Sequence, residues 1–155
     1  MAVSKGKDFE KQVKECVELL PNTYILRLYD TMNGYQRITN PCDFIVVRDN
    51  KTYLVECKST KGHTFNFSGL SQYEKLLNAY NKNVNGLNVC ILLWFIDHQE
   101  TYYVPISYVK YLKDTDAKSI NIKYLKDDIA QMNGVKLIPG TTKRVFTDYD
   151  FDTIF

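Results

Sequence analysis

The chain of 155 residues lacks a long apolar run, an internal repeat and a low-complexity tract. Its longest apolar stretch, Val89 to Ile96, falls far short of the roughly 20 residues a membrane span needs, so no membrane partner is expected. The opening residues M-A-V-S-K-G-K hold no apolar core, and no signal peptide is expected. An excess of one charge is missing too: 20 Lys and Arg stand against 18 Asp and Glu, a net +2. That balance neither demands nor excludes nucleic acid; a local basic face would have to supply the attraction. Cys16, Cys42, Cys57 and Cys90 show no C-x-x-C spacing, and each lies in an apolar run. Buried free thiols in a reducing cytosol follow, rather than a zinc site. A chain of this length forms one domain with its own core.

What is present concentrates in residues 40–58, N-P-C-D-F-I-V-V-R-D-N-K-T-Y-L-V-E-C-K. Strand-like runs from Asp43 to Arg48 and from Thr52 to Lys58 flank Asp49-Asn50-Lys51, which predicts a β-hairpin with a three-residue loop. Alternation puts Asp43, Ile45 and Val47 on one face of the first strand. Leu54, Glu56 and Lys58 share a face of the second, while Tyr53, Val55 and Cys57 point the other way into packing. Charges at the ends of an apolar hairpin are costly unless paired or metal-bound. Two hard-oxygen ligands on neighbouring strands suit Mg²⁺, which takes one or two carboxylates with water and substrate phosphate. Lys58 beside them would stabilise charge on a phosphate or hold a water. The bland alternative, a strand-end ion pair of Asp43 or Glu56 with Lys58, stays open on these residues alone.

Elsewhere, Phe9, Val13, Cys16, Val17 and Leu20 share an arc that predicts a helix over 5–20, capped by Ser4 and stopped by Pro21. Glu10 borders that arc, where an ordinary Glu10–Lys14 surface pair would account for it. Thr23 to Tyr29 reads as a strand, and the 30–40 connection carries an Asn33-Gly34 turn. Phe65 and Phe67 alternate as in a short strand. Ser71-Gln72-Tyr73-Glu74 matches a capping box opening a helix to Asn81. Val89 to Ile96 is a central strand buried on both faces, with Trp94 as core. Thr101 to Val104 is its partner strand, ended by Pro105, and Ile106 to Leu112 is a short helix. Lys118 to Tyr124 alternates like a strand, and Tyr124 to Met132 continues as a helix. Val135 to Pro139 is short and apolar. The tail T-D-Y-D-F-D-T-I-F is expected to dock on the body or on a second subunit. His63 is a lone loop histidine. Thr60 is a candidate phosphate contact, although Thr more often satisfies backbone locally.

The segments G-K-D-F-E at 6–10, N-P-C-D-F-I-V at 40–46, E-C-K-S-T at 56–60 and F-S-G-L-S-Q-Y at 67–73 resemble the PD-(D/E)xK nuclease superfamily. Within it they resemble RecU-type Holliday junction resolvases, particularly short phage-encoded relatives, over residues 4–112. The resemblance implies an α/β fold, a restriction-endonuclease-like mixed β-sheet flanked by helices. It implies a Mg²⁺-dependent endodeoxyribonuclease, with Mn²⁺ substituting, that leaves 5′-phosphate nicks. Asp43, Glu56 and Glu10 would hold the metal, with the Cys57 backbone carbonyl completing the shell, and Lys58 would be catalytic. Gln72 would lie near the site, although a solvated first-turn residue is its ordinary role. A homodimer would make paired nicks in a four-way junction, in the cytoplasm of a bacterial or phage-infected cell. The family's protruding basic stalk is reduced here to a short connection with one basic residue, Arg37, which leaves junction specificity open. Arg37 with Tyr35, Lys61 and the pair Lys143-Arg144 are the candidate DNA contacts. Two alternatives remain: a restriction-like or repair nuclease on the same core, or a DNA-binding recombination accessory protein that does not cut.

Overall fold

The computed structural model describes residues 5–33, 36–144 and 146–155, without the side chains of 32–38. Ser4 and Tyr35 lie outside the described residues, as does the side chain of Arg37. Helix α1 (Lys5–Glu18) buries Phe9, Val13, Cys16 and Val17, the residues whose spacing predicts it. Then follow β1 (Thr23–Arg27), β2 (Thr31–Asn33) and β3 (Gln36–Ile38), of which β2 and β3 pair with each other. Next come β4 (Phe44–Arg48), β5 (Lys51–Thr60), β6 (Thr64–Asn66) and α2 (Tyr73–Asn81). The chain continues through β7 (Leu87–Phe95), β8 (Glu100–Pro105), α3 (Ile106–Asp114), β9 (Ser119–Asn121) and α4 (Asp128–Met132). It closes with β10 (Lys136–Leu137), β11 (Gly140–Thr142) and β12 (Thr147–Tyr149).

One six-stranded sheet runs in the order β1-β4-β5-β7-β8-β10. Only β5 and β7 pair in parallel; the other neighbours are antiparallel, so the sheet is mixed as expected. Strand β7 divides its side chains between two cores by the period of two. Val89, Ile91, Leu93 and Phe95 join the core under α2 and α3. Cys90 and Leu92 face the core under α1, with Trp94 packed against its edge and 5.5 Å from the Phe9 ring. Helices therefore cover both faces, and all four cysteines are buried and free.

Three local expectations are corrected. Arg48 pairs with Lys51, so the hairpin loop has two residues, Asp49-Asn50, with Asp49 at φ 54°. The left-handed region is one that Asp tolerates. The capping box does not form. Gln72 occupies the N-cap of α2 without a side-chain cap bond, and Ser71 Oγ donates instead to Gln72 Oε1 at 3.1 Å. The segment expected as a strand from Lys118 to Tyr124 pairs only at Ser119–Asn121 and then becomes a 3₁₀ turn over Ile122–Lys126. Asp127 stops that turn and caps α4 by accepting the Ala130 N–H at 2.9 Å. The tail docks on its own chain: Tyr149, Phe151, Ile154 and Phe155 are buried in the core under α1. Arg48 holds it there, donating to the carbonyls of Asp152 and Phe155 at 3.1 and 3.0 Å.

Candidate active site

Antiparallel pairing of β4 with β5 sets Phe44 opposite Val55, so one further step brings Asp43 level with Glu56. The Asp43 backbone is fixed on both sides. Its N–H donates to Val55 O at 3.0 Å, and its carbonyl accepts the Leu28 N–H at 2.8 Å. The side chain then turns inward, and Oδ2 accepts the Cys57 N–H at 2.8 Å. Glu56 is 3% exposed on the neighbouring strand, a burial that an isolated carboxylate does not bear. Lys58 Nζ lies 3.2 Å from Glu56 Oε1, so the ion pair offered as the bland alternative is formed. Glu10 reaches the same end of the sheet from α1. The ordinary surface pair does not claim it, because Lys14 bonds to Glu18 one turn further on.

Arg27, at the end of β1, joins these groups, and the expected site did not include it. Its Nη2 donates to Glu10 Oε2 at 2.5 Å, and its Nη1 stands 3.3 Å from Asp43 Oδ1. The second contact is an ion pair without hydrogen-bond geometry, since the buried Nη1 finds no hydrogen-bond partner among the described residues. The guanidinium lies over the rings of Phe44 and Tyr29, 4.9 and 5.4 Å from their centres. A single Arg inside the apolar strand T-Y-I-L-R-L-Y was the available signal, because a charge there needs a partner.

Three carboxylates therefore share two cationic side chains. Burial, followed by the Asp43 charge, pushes Glu56 up to about 8 despite Lys58. The same two causes raise Glu10 despite Arg27. Burial raises Asp43 against the Cys57 N–H, Arg27 and Lys58. A largely buried cluster whose three carboxyl groups are all raised is short of positive charge. Its hard carboxylate oxygens are the donors that Mg²⁺ or Mn²⁺ takes, and in donor chemistry the residues fit such an ion. As they stand, no three Asp, Glu, His or Cys side chains among the described residues form a ready cage. Arg27 and Lys58 hold the oxygens instead.

The other candidates are scattered. Cys57 turns its side chain into the α1 core, and its N–H binds Asp43. Thr60 Oγ1 donates to Thr64 O at 3.0 Å and so closes the turn between β5 and β6. Lys61 is exposed at that turn. Gln72 lines a separate cleft with Asp30, Thr39, Asn40 and Lys75. Lys143 and Arg144 are exposed beyond β11, and Lys143 faces Asp148 at 3.5 Å. His63 is not alone: its Nδ1 lies 2.7 Å from His98 Nε2.

A family model described as "Recombination protein U" matches residues 5–139. Among solved structures, the chain is similar to Hjc of Archaeoglobus fulgidus, a Holliday junction resolvase from an archaeal hyperthermophile. The two are 16% identical with a TM-score of 0.50, over 83% of this chain and 96% of that one. At that identity the likeness speaks for the fold. No curated protein matches the chain.

Proposed function

The chain belongs to the Recombination protein U family, and from that premise we propose that it is a metal-dependent endonuclease selective for branched DNA, a Holliday junction resolvase that makes paired nicks. The observation that carries this is the convergence of Glu10 from α1, Asp43 from just before β4 and Glu56 from β5, with Lys58 alongside. Asp43, Glu56 and Glu10 would hold the ion, with the Cys57 carbonyl as a fourth donor. Mg²⁺ or Mn²⁺ bound there would polarise the scissile phosphate and acidify a water. Lys58, released from Glu56, would orient that water and meet the charge that builds on phosphorus. The bond to the 3′ oxygen breaks, leaving 5′-phosphate and 3′-hydroxyl ends. Lys61, Lys143 and Arg144 are the exposed cations offered for the DNA backbone, together with Arg37.

Two opposed nicks call for two sites, and a two-fold homodimer supplies them. The sheet offers an apolar surface for it. Tyr24 is paired with Val47 and Leu26 with Ile45 on the face of β1 and β4 turned away from α1. Tyr24, Leu26 and Val47 remain 63, 43 and 37% exposed there.

The deciding experiment compares cleavage of four-way junctions, Y-forks and plain duplex, each with Mg²⁺ and with EDTA. Symmetric nicks in the junction only, stopped by EDTA and restored by Mg²⁺ or Mn²⁺, are expected. Equal cutting of plain duplex would favour the restriction-like or repair alternative. Tight junction binding without cleavage would favour the accessory protein, which the hold of Arg27 on two carboxylates also suits.

A further inference from the structure

Arg27 does more than neutralise its neighbours. It occupies oxygens of Glu10 and Asp43 that a divalent cation would need. It also forms part of an open cleft beside α1, lined as well by Lys7, Lys11, Lys14, Tyr29 and Phe44. The 7-11-14 spacing puts those three lysines along one face of α1. Glu10 borders the same cleft, so the carboxylates meet there a row of lysines, of which Lys11 and Lys14 are paired along the helix with Glu15 and Glu18. Tyr29 is 69% exposed, with the Arg27 guanidinium 5.4 Å from its ring centre.

Two features make Arg27 exchangeable. Among the described residues its buried Nη1 has no hydrogen-bond partner, so leaving the carboxylates sacrifices one hydrogen bond, that to Glu10, and the ion pair with Asp43. Its planar fork fits a phosphate as well as it fits a carboxylate. A cation arriving at Glu10 and Asp43 would repel the guanidinium, and a phosphate in the lysine-lined cleft would receive it.

We infer that Arg27 is an exchangeable counter-ion. It holds Glu10 and Asp43 in the metal-free protein and passes to a DNA phosphate in the α1 cleft when a divalent cation takes those carboxylates, so that metal and DNA bind cooperatively. This rests on the carboxylates being the metal site. Linkage makes the effect reciprocal: DNA must tighten the metal by the factor by which metal tightens DNA.

The test measures Mn²⁺ binding to the full chain from the loss of the free-ion paramagnetic resonance signal. It is run without DNA and with a nicked duplex, the product form, so that nothing is consumed. For the wild type, the duplex should tighten Mn²⁺ about tenfold. Arg27→Met should bind Mn²⁺ about tenfold more tightly without DNA and lose the gain from the duplex. Arg27→Lys, keeping the charge without the fork, should lie between. Arg27→Gln serves if the Met variant melts below the assay temperature. Mn²⁺ binding by folded Arg27→Met or Arg27→Gln that is no tighter than wild type without DNA would overturn the exchange. So would a duplex-dependent gain that survives the substitution. If the wild type binds no Mn²⁺ with or without DNA, the metal site itself fails, and the exchange fails with it.

Discussion

Glu56→Gln should make the metal-free protein more stable at alkaline pH, although it removes half of an ion pair. The folded protein holds the Glu56 proton up to about pH 8, whereas the group's ordinary value is 4.5. A folded state that binds the proton more tightly than the unfolded chain loses stability as pH rises between those values. Glu10 and Asp43 are raised in the same direction and add to the slope. Each pKa unit is worth about 1.4 kcal/mol, so Glu56 alone carries several kcal/mol between mildly acid and alkaline pH. The replacing glutamine side chain is of nearly equal volume and carries no charge to desolvate. It forfeits the charge of the Lys58 pair, which relieves the charged form of Glu56, and keeps an amide oxygen that can accept from Lys58 Nζ. The net gain at about pH 8.5 should be about 2–4 kcal/mol, shrinking to near zero at about pH 5.5. Urea unfolding in EDTA at both pH values measures it, with the slope m checked for constancy. Adding Mg²⁺ should reverse the order at the higher pH, because the ion stabilises only the form that binds it. A wild-type stability that does not fall with pH in EDTA, or a Glu56→Gln protein that falls just as steeply, would refute the charge-starved cluster.

Asp43→Asn should abolish cleavage while leaving DNA binding intact or stronger, since a charge that repels phosphate is removed and an amide oxygen can still accept the Cys57 N–H; gel-shift and cleavage assays on one junction check both. Lys58→Met should slow cleavage by about 10²–10³ with little effect on binding, measured as single-turnover rates. Gly86→Ala should destabilise the fold by about 1–3 kcal/mol, because Gly86 sits at φ 80° and an added Cβ would lie 2.7 Å from Asn50 O; a thermal melt would show it, with the proposed cleavage unaltered below the transition.

The strands of the hairpin, the central strand and the first helix were legible because each carries a period that burial enforces. Asp43, Glu56 and Lys58 were legible for the same reason. Alternation along two adjacent strands fixes their faces before any long-range contact is known. The two-residue turn at Asp49-Asn50 was less so, since loop length depends on where the ladder closes. The C-terminal third was the least readable. Its strands have two or three residues, and its tail has no regular period. Phe151 and Phe155 are buried because the core under α1 has room for them.

By itself the sequence determined the mixed α/β layering and the placing of two carboxylates and a lysine at one end of a hairpin, because local periodicity and the chemistry of charge in apolar strands decide both. Only the tertiary structure decided that Glu10 leaves Lys14 for Arg27, that Arg27 stands between two acids, and that His63 meets His98. Those partners come from elements 16 to 35 residues apart in the chain. No local rule pairs side chains across such a distance; for Glu10, Arg27 and Asp43 it takes the packing of α1 on the sheet beside β1 to bring them together.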